Sequence, residues 1–255
     1  MNPFPPLLQE LDHWATIGQK ATLWWRDDDA IAPSYHLDRL LGLAAEFHIP
    51  MALAVIPEPC RAGLVADLAA KSMIIAVLQH GYAHRNHAKS HEKKQELGLH
   101  RSAAAVEAEL SAGFTHMQEL FDGTVLPVLV PPWNRIHPDL LPDLPSLGYQ
   151  GISTFGPRPN AWPVAGLRQV NCHIDVIRWR PNRAFAGEAA VVQQLVEHLA
   201  GRRLKAVDPE EPTGLLTHHL VHDQACWTFL NALCETLVQH EAVEFLSASD
   251  VFLRR

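Results

Sequence analysis

The chain has 255 residues, 47% of them hydrophobic and 19% charged, which is enough apolar material to bury one sizeable core. Its formal net charge of −7 and pI near 6.1 argue against nucleic-acid and anionic-membrane partners, and no apolar run approaches the ~20 residues that span a bilayer. The four cysteines (Cys60, Cys172, Cys226, Cys234) are scattered and read as reduced thiols; with no basic-then-apolar leader in the first residues, the expected location is cytoplasmic.

Along the chain, short apolar runs alternate with longer amphipathic segments, the signature of repeated βα units and a largely parallel sheet. The first strand is expected over 21–25, running into Arg26 and three aspartates. Helix 34–48 follows, with Leu37, Leu40, Leu41 and Leu43 on one face. Strand 51–56, helix 62–71 and strand 73–78 come next, the last leading into Gln79 and His80. A polar, histidine-rich loop precedes helix 101–120, for which Ser102 is the candidate N-cap. Strand 125–130 stops at Pro131 and Pro132, and a short helix over 138–147 leads to strand 151–155. A Pro- and Gly-rich loop (156–166), an extended stretch (168–177), helix 187–200 and strand 214–218 follow. Helix 224–240, strand 243–246 and a last turn begun at Ser249 and Asp250 end the chain. With no linker, charge run or internal repeat, a single domain over 1–255 is expected, as a barrel-like α/β fold. An open doubly wound sheet is the alternative, but no G-x-G-x-x-G turn supports it.

Sixteen histidines are more than such a composition usually holds, and they cluster. In parallel α/β folds functional groups gather at the C-terminal ends of strands. Four polar clusters fall there: Asp27, Asp28 and Asp29; His80 through His84; Pro131 through Arg135; and His218 through Asp223. Consecutive carboxylates repel unless a cation lies between them, although a solvated helix-capping turn also suits this segment. His80 and His84 are four apart, a spacing that lets two imidazoles share one metal. Two neutral histidines and one carboxylate form a three-ligand set with positions left open for water and substrate.

Together these motifs resemble the polysaccharide deacetylase (NodB-homology) family, hydrolases that remove N- or O-acetyl groups from sugars. Its T-F-D-D strand end, H-[ST]-x-x-H, R-P-P-Y-G loop and late L-x-H are matched by RDDDA at 26–30, HGYAH at 80–84, VPPWN at 130–134 and LTH at 216–218. The resemblance covers about residues 20 to 225. It implies a distorted (β/α) barrel of about seven parallel strands, a metal on Asp29, His80 and His84, Asp28 as general base and His218 as general acid. A shifted register would give the two aspartate roles to Asp27 and Asp28; the first is preferred because R-x-D-D recurs in divergent members. Three departures stand out. The motif arginine that orients the base is Val130 here, leaving Arg135 or Arg26 to replace it. The Ser or Thr after the first histidine is Gly81. Residues 171–179 match the family's D-x-x-D-W segment only loosely, with His173 and Asp175 expected on one side of a strand.

Trp133, with Pro132, Asn134 and Tyr82, is expected to bind substrate. Asp27, Arg26, His173, Asp175, His222 and Asp223 are expected around the ligands, Asp223 either capping the next helix or orienting a histidine. The reaction expected is hydrolysis of a C–N bond in an N-acetylated sugar or related small amide. Zinc suits the donors, as do iron, cobalt, manganese or nickel. The rivals are a non-haem iron oxygenase, which the βα alternation and second aspartate disfavour, and a metal- or sugar-binding protein without turnover.

Overall fold

The computed structural model describes residues 3–69 and 75–253. The longest strand, β1 (Ala21–Ala30), sits between β2 (Met51–Val55) and β10 (Thr213–Thr217), parallel to both. Beyond β2 follow β3 (Ile75–His80), β4 (Val128–Val130) and β5 (Gly151–Ile152), each parallel to its neighbour. One extended segment then joins the two ends of the sheet. Its first part, β6 (Arg168–Gln169), pairs with β5, and its last part, β7 (Ile174–Asp175), pairs with β10. The result is a distorted (β/α) barrel of seven staves among the described residues, the seventh spanning 168–175.

Side-chain alternation along the staves divides the core. Trp24, Ala52, Ala54, Leu78, Val128, Val130, Cys172 and Leu216 pack inside the barrel. Trp25, Met51, Leu53, Val55 and Leu215 face the surrounding helices. The seventh stave crosses so close to β10 that a Cβ on Gly214 would lie 2.5 Å from the Asn171 carbonyl oxygen and 2.6 Å from Trp24 Nε1. Only glycine fits there. The bottom of the barrel is filled by Ala248, Val251 and Phe252 of α7 (Ala248–Phe252), which follows β11 (Val243–Phe245), a strand paired to the start of β1.

The outer layer comprises α1 (Pro5–Thr16), α2 (Tyr35–Glu46), α3 (Ala62–Ala69), α4 (Ala103–Leu120), α5 (Glu188–Arg203) and α6 (Gln224–Val238). Ser34 and Ser102 cap α2 and α4 by accepting backbone N–H bonds, and Asp223 caps α6 by accepting from Cys226 N–H at 2.8 Å. No helix among the described residues is long and apolar enough to cross a membrane.

Several elements differ from the sequence expectation. Helix α1 was not anticipated, although Leu7, Leu11 and Trp14 recur at helical spacing and are buried. Strand β1 continues through the aspartates instead of ending before them. Residues 138–143 form a 3-10 helix, with Pro138 at its start and Pro142 inside it. A hairpin of β8 (Ile177–Arg178) and β9 (Ala184–Phe185) follows the seventh stave. The last turn begins at Ser247, whose hydroxyl and Asp250 form a capping box. Of the expected helix 62–71 and strand 73–78, residues 70–74 lie outside the described residues.

Candidate active site

Arg26, Asp28 and Asp29 all come from the end of β1. Alternation sends Trp24, Arg26 and Asp28 into the barrel and turns Asp27 outward. Asp29 should then also point outward, but its backbone is left-handed (φ 74°) and the β1–β2 register shifts between Asp27 and Ala30. This bulge brings two consecutive carboxylates to one rim.

His80 ends β3, and its Nδ1 lies 2.9 Å from the Val130 carbonyl oxygen. A carbonyl only accepts, so Nδ1 carries a hydrogen, and Nε2 is the atom that donates to Asp29 when protonated or offers a lone pair to a metal when not. That Nε2 sits 3.2 Å from Asp29 Oδ1, and His84 Nε2 sits 3.3 Å from the same oxygen. Asp29, His80 and His84 each offer a donor atom within 4.8 Å of the others. Burial alone would raise the Asp29 carboxyl, but the His80 hydrogen bond and the surrounding imidazoles hold it well below the usual carboxylate range. For His80, burial is outweighed by that hydrogen bond and the charges of Asp28 and Asp29, which raise it; burial, then His80 itself, lowers His84.

The turn between the two histidines rests on Glu96, a fully buried side chain from the following loop. Its Oε2 accepts from Tyr82 N–H at 3.0 Å, and its Oε1 accepts from Ala83 N–H at 3.0 Å and Arg85 N–H at 2.9 Å. A Cβ at Gly81 would lie 2.1 Å from Glu96 Oε2 and 2.4 Å from Pro132 Cγ, on a backbone with φ +57°. The place of the family's Ser or Thr is thus filled by a carboxylate and a proline ring.

Arg26 is fully buried and binds Asp28 through two parallel bonds, Nε to Oδ1 at 2.8 Å and Nη2 to Oδ2 at 2.9 Å. Its remaining donors reach Ser153 Oγ at 2.6 Å and Asn134 Oδ1 at 2.7 Å. Burial would lower the guanidinium, yet Asp28 outweighs it and keeps Arg26 charged. Arg135 points elsewhere, its Nη1 donating to the Lys94 carbonyl at 2.9 Å. The guanidinium on Asp28 is therefore that of Arg26, because residues two apart on a strand share a face. His218, at the end of β10, places Nε2 4.0 Å from Asp28 Oδ2.

Two indoles flank this centre. Trp133 lies with its ring 4.3 Å from His84, and Trp179 meets His218 edge-on at 4.6 Å. Trp179 Nε1 also donates to Asp175 Oδ2 at 2.7 Å, and burial raises the Asp175 carboxyl. Trp179 and Ser153 were not singled out from sequence. Trp179 carried a signal, as the tryptophan of the loosely matched segment; Ser153, a lone serine at a strand end, carried none.

His173 and Asp175 do not share a face as expected. The seventh stave changes partner from β5 to β10 between its two ends, and this turns His173 outward. There it stacks on His198 of α5 at 3.6 Å and sets Nε2 3.3 Å from Glu211 Oε2. Asp27 is likewise outside the barrel, its Oδ1 2.5 Å from His219 Nδ1, while Thr217 Oγ1 and His219 N–H donate to its Oδ2. Burial opposes this pair, but mutual attraction lowers Asp27 and raises His219. His222 Nε2 accepts from His218 N–H at 3.3 Å. Tyr82 is half-buried on the histidine turn and Pro132 is buried beneath Gly81.

No protein-family model matches the chain, and no curated protein sequence matches it. Solved structures do. A protein described as a polysaccharide deacetylase from Mycobacterium smegmatis aligns over 92% of this chain and 89% of its own, with TM-score 0.64 and 16% identity. The fold is that of the polysaccharide deacetylases. A family 4 acetyl xylan esterase from Clostridium thermocellum, in complex with a cobalt ion, aligns over 91% and 90%, with TM-score 0.53 and 14% identity. The catalytic domain of a peptidoglycan N-acetylglucosamine deacetylase from Eubacterium rectale aligns over 89% and 88%, with TM-score 0.56 and 13% identity. At these identities it is the deacetylase barrel that is shared; the donor atoms and hydrogen bonds above are this chain's own.

Proposed function

We propose that the chain is a metal-dependent hydrolase of C–N bonds that removes an acetyl group from an N-acetylated sugar or a related small amide. The observation that carries this reading is the convergence of Asp29, His80 and His84 with a second carboxylate, Asp28, and a second-face histidine, His218, at one barrel rim. The donor set fits a divalent metal: one carboxylate oxygen and two imidazole nitrogens, one of them held in the ligating tautomer by the Val130 carbonyl. A cobalt ion in the acetyl xylan esterase and the borderline donors make zinc, cobalt, iron, manganese and nickel all suitable.

When bound, the metal supplies Lewis acidity toward the acyl oxygen and makes a water more acidic. Asp28 accepts the proton of the attacking water on a carboxylate oxygen; Arg26 fixes the plane of that carboxylate by two bonds and leaves its outer lone pairs free. His218 donates a proton to the departing nitrogen from Nε2, across the gap that separates it from Asp28. Trp133 and Trp179 wall the site, the first against His84 and the second edge-on to His218.

Metal-loaded protein is expected to release acetate from at least one member of a panel of N-acetylated amino sugars and small acetamides. Asp28→Asn should slow release on the order of 10²-fold or more. No acetate from any substrate, with Asp28→Asn indistinguishable from wild type, would overturn the proposal.

A further inference from the structure

Charge is distributed unevenly between this rim and the rest of the molecule. The chain as a whole holds 21 Lys and Arg against 28 Asp and Glu. The two loops that carry or face the flanking indoles reverse that balance. Loop 85–95 has Arg85, Lys89, Lys93 and Lys94 against Glu92, and loop 178–187 has Arg178, Arg180 and Arg183 with no acid, seven cations to one carboxylate. Glu92 is turned to His100, 2.7 Å from its Nε2, and Arg85 is matched by Glu58 at 3.6 Å. The other cations have no carboxylate partner among the described residues. The nearby site carboxylates are already committed: Asp28 to Arg26, Asp29 to the two histidines, and Asp175 to the Trp179 indole N–H and the Ile177 backbone N–H.

Two of these cations are tied to the reacting centre by geometry. Lys94 Nζ lies 5.8 Å over the Trp133 ring, which itself lies 4.3 Å from His84. The Arg183 guanidinium lies 5.2 Å over the Trp179 ring, which meets His218 at 4.6 Å. Each indole that touches a histidine of the centre thus also holds a cation within about 6 Å of its ring. Cations beside both indoles, together with a divalent metal on Asp29, His80 and His84, would concentrate anions at this rim.

We propose that the substrate carries an anionic group, a carboxylate or a phosphate, close to its acetylated nitrogen, and that Lys94 and Arg183 receive it. This rests on the hydrolase reading above only for the identity of the acyl group. The test is calorimetric binding to metal-loaded protein of two matched pairs: N-acetylglucosamine against its 6-phosphate, and N-acetylglycinamide against N-acetylglycine. Each is measured at about 20 and 200 mM NaCl and repeated with Lys94→Gln/Arg183→Gln. Both side chains are exposed, so the double variant is expected to keep the wild-type melting temperature.

At least one anionic member should bind on the order of tenfold more tightly than its neutral partner, with the advantage shrinking at high salt and in the double variant. The pair that shows it distinguishes phosphate from carboxylate. An anion that bound only through the metal would keep its advantage in the double variant, since Asp29, His80 and His84 are untouched; that result overturns the proposal. So does the lack of an anionic advantage in both pairs. Anion preference without acetate release would sink the hydrolase reading and leave this inference standing.

Discussion

Replacing Glu96 by Gln should loosen one metal ligand and spare the other. The carboxylate accepts three backbone N–H bonds at 2.9–3.0 Å from the turn that carries His84. Gln has nearly the same volume, but its amide nitrogen cannot accept. If Oε1 keeps Ala83 and Arg85, the Tyr82 N–H faces another donor and is left unsatisfied, at about 1–3 kcal/mol. The two surviving bonds change from charged to neutral acceptors, a further loss of about 1 kcal/mol each. The total is about 3–5 kcal/mol, divided between global stability and the geometry of the turn. His80 is fixed separately by the Val130 carbonyl, so the geometric part falls on His84. Losses of this kind around metal ligands weaken affinity about 10- to 100-fold. Competition of zinc or cobalt against a chromophoric chelator measures this, with His84→Ala as the benchmark for complete loss of the ligand. A Glu96→Gln protein that binds metal within about twofold of wild type, while melting earlier, would refute the reasoning.

Arg26→Lys keeps a positive charge but cannot make the two parallel bonds to Asp28; acetate release should slow on the order of 10²-fold while metal affinity stays nearly constant, as steady-state kinetics and chelator competition would show. Gly81→Ala should weaken metal binding in the same direction as Glu96→Gln, because its Cβ would press on the Glu96 carboxylate 2.1 Å away. Burial, reinforced by His173 and Arg202, lowers His198 from 6.5 to about 2. The unfolded chain therefore binds a proton below pH 6.5 that the folded chain does not. The stability present above 6.5 is lost as pH falls, by up to about 1.4 kcal/mol per unit. Urea unfolding at pH 7, 6 and 5 should show this fall in wild type and a shallower one in His198→Gln; parallel curves would refute it.

Much of the barrel was legible because each stave is a short apolar run with polar residues at its C-terminal end. The closure was less so. Strands β6 and β7 are two residues each within one extended stretch, and only pairing to both β5 and β10 makes it a stave. That change of partner also separates His173 from Asp175, which simple alternation had put on one face. At the site, the HGYAH spacing marked His80 and His84, and alternation along β1 could have singled out Arg26 over Arg135. Which aspartates reach the rim was not legible. It depends on the left-handed backbone at Asp29, and nothing in three identical residues announces a bulge. Glu96 gave no signal either, since its contacts are with backbone N–H groups 11–14 residues away across an irregular loop.

The most direct test of the account is to titrate zinc or cobalt into chelator-stripped protein while following acetate release from the best substrate of the acetamide panel. Release should start near zero and rise linearly to a plateau at about one metal per chain, as expected for a single Asp29–His80–His84 centre. Undiminished release from stripped protein, or release indifferent to added metal, would contradict it.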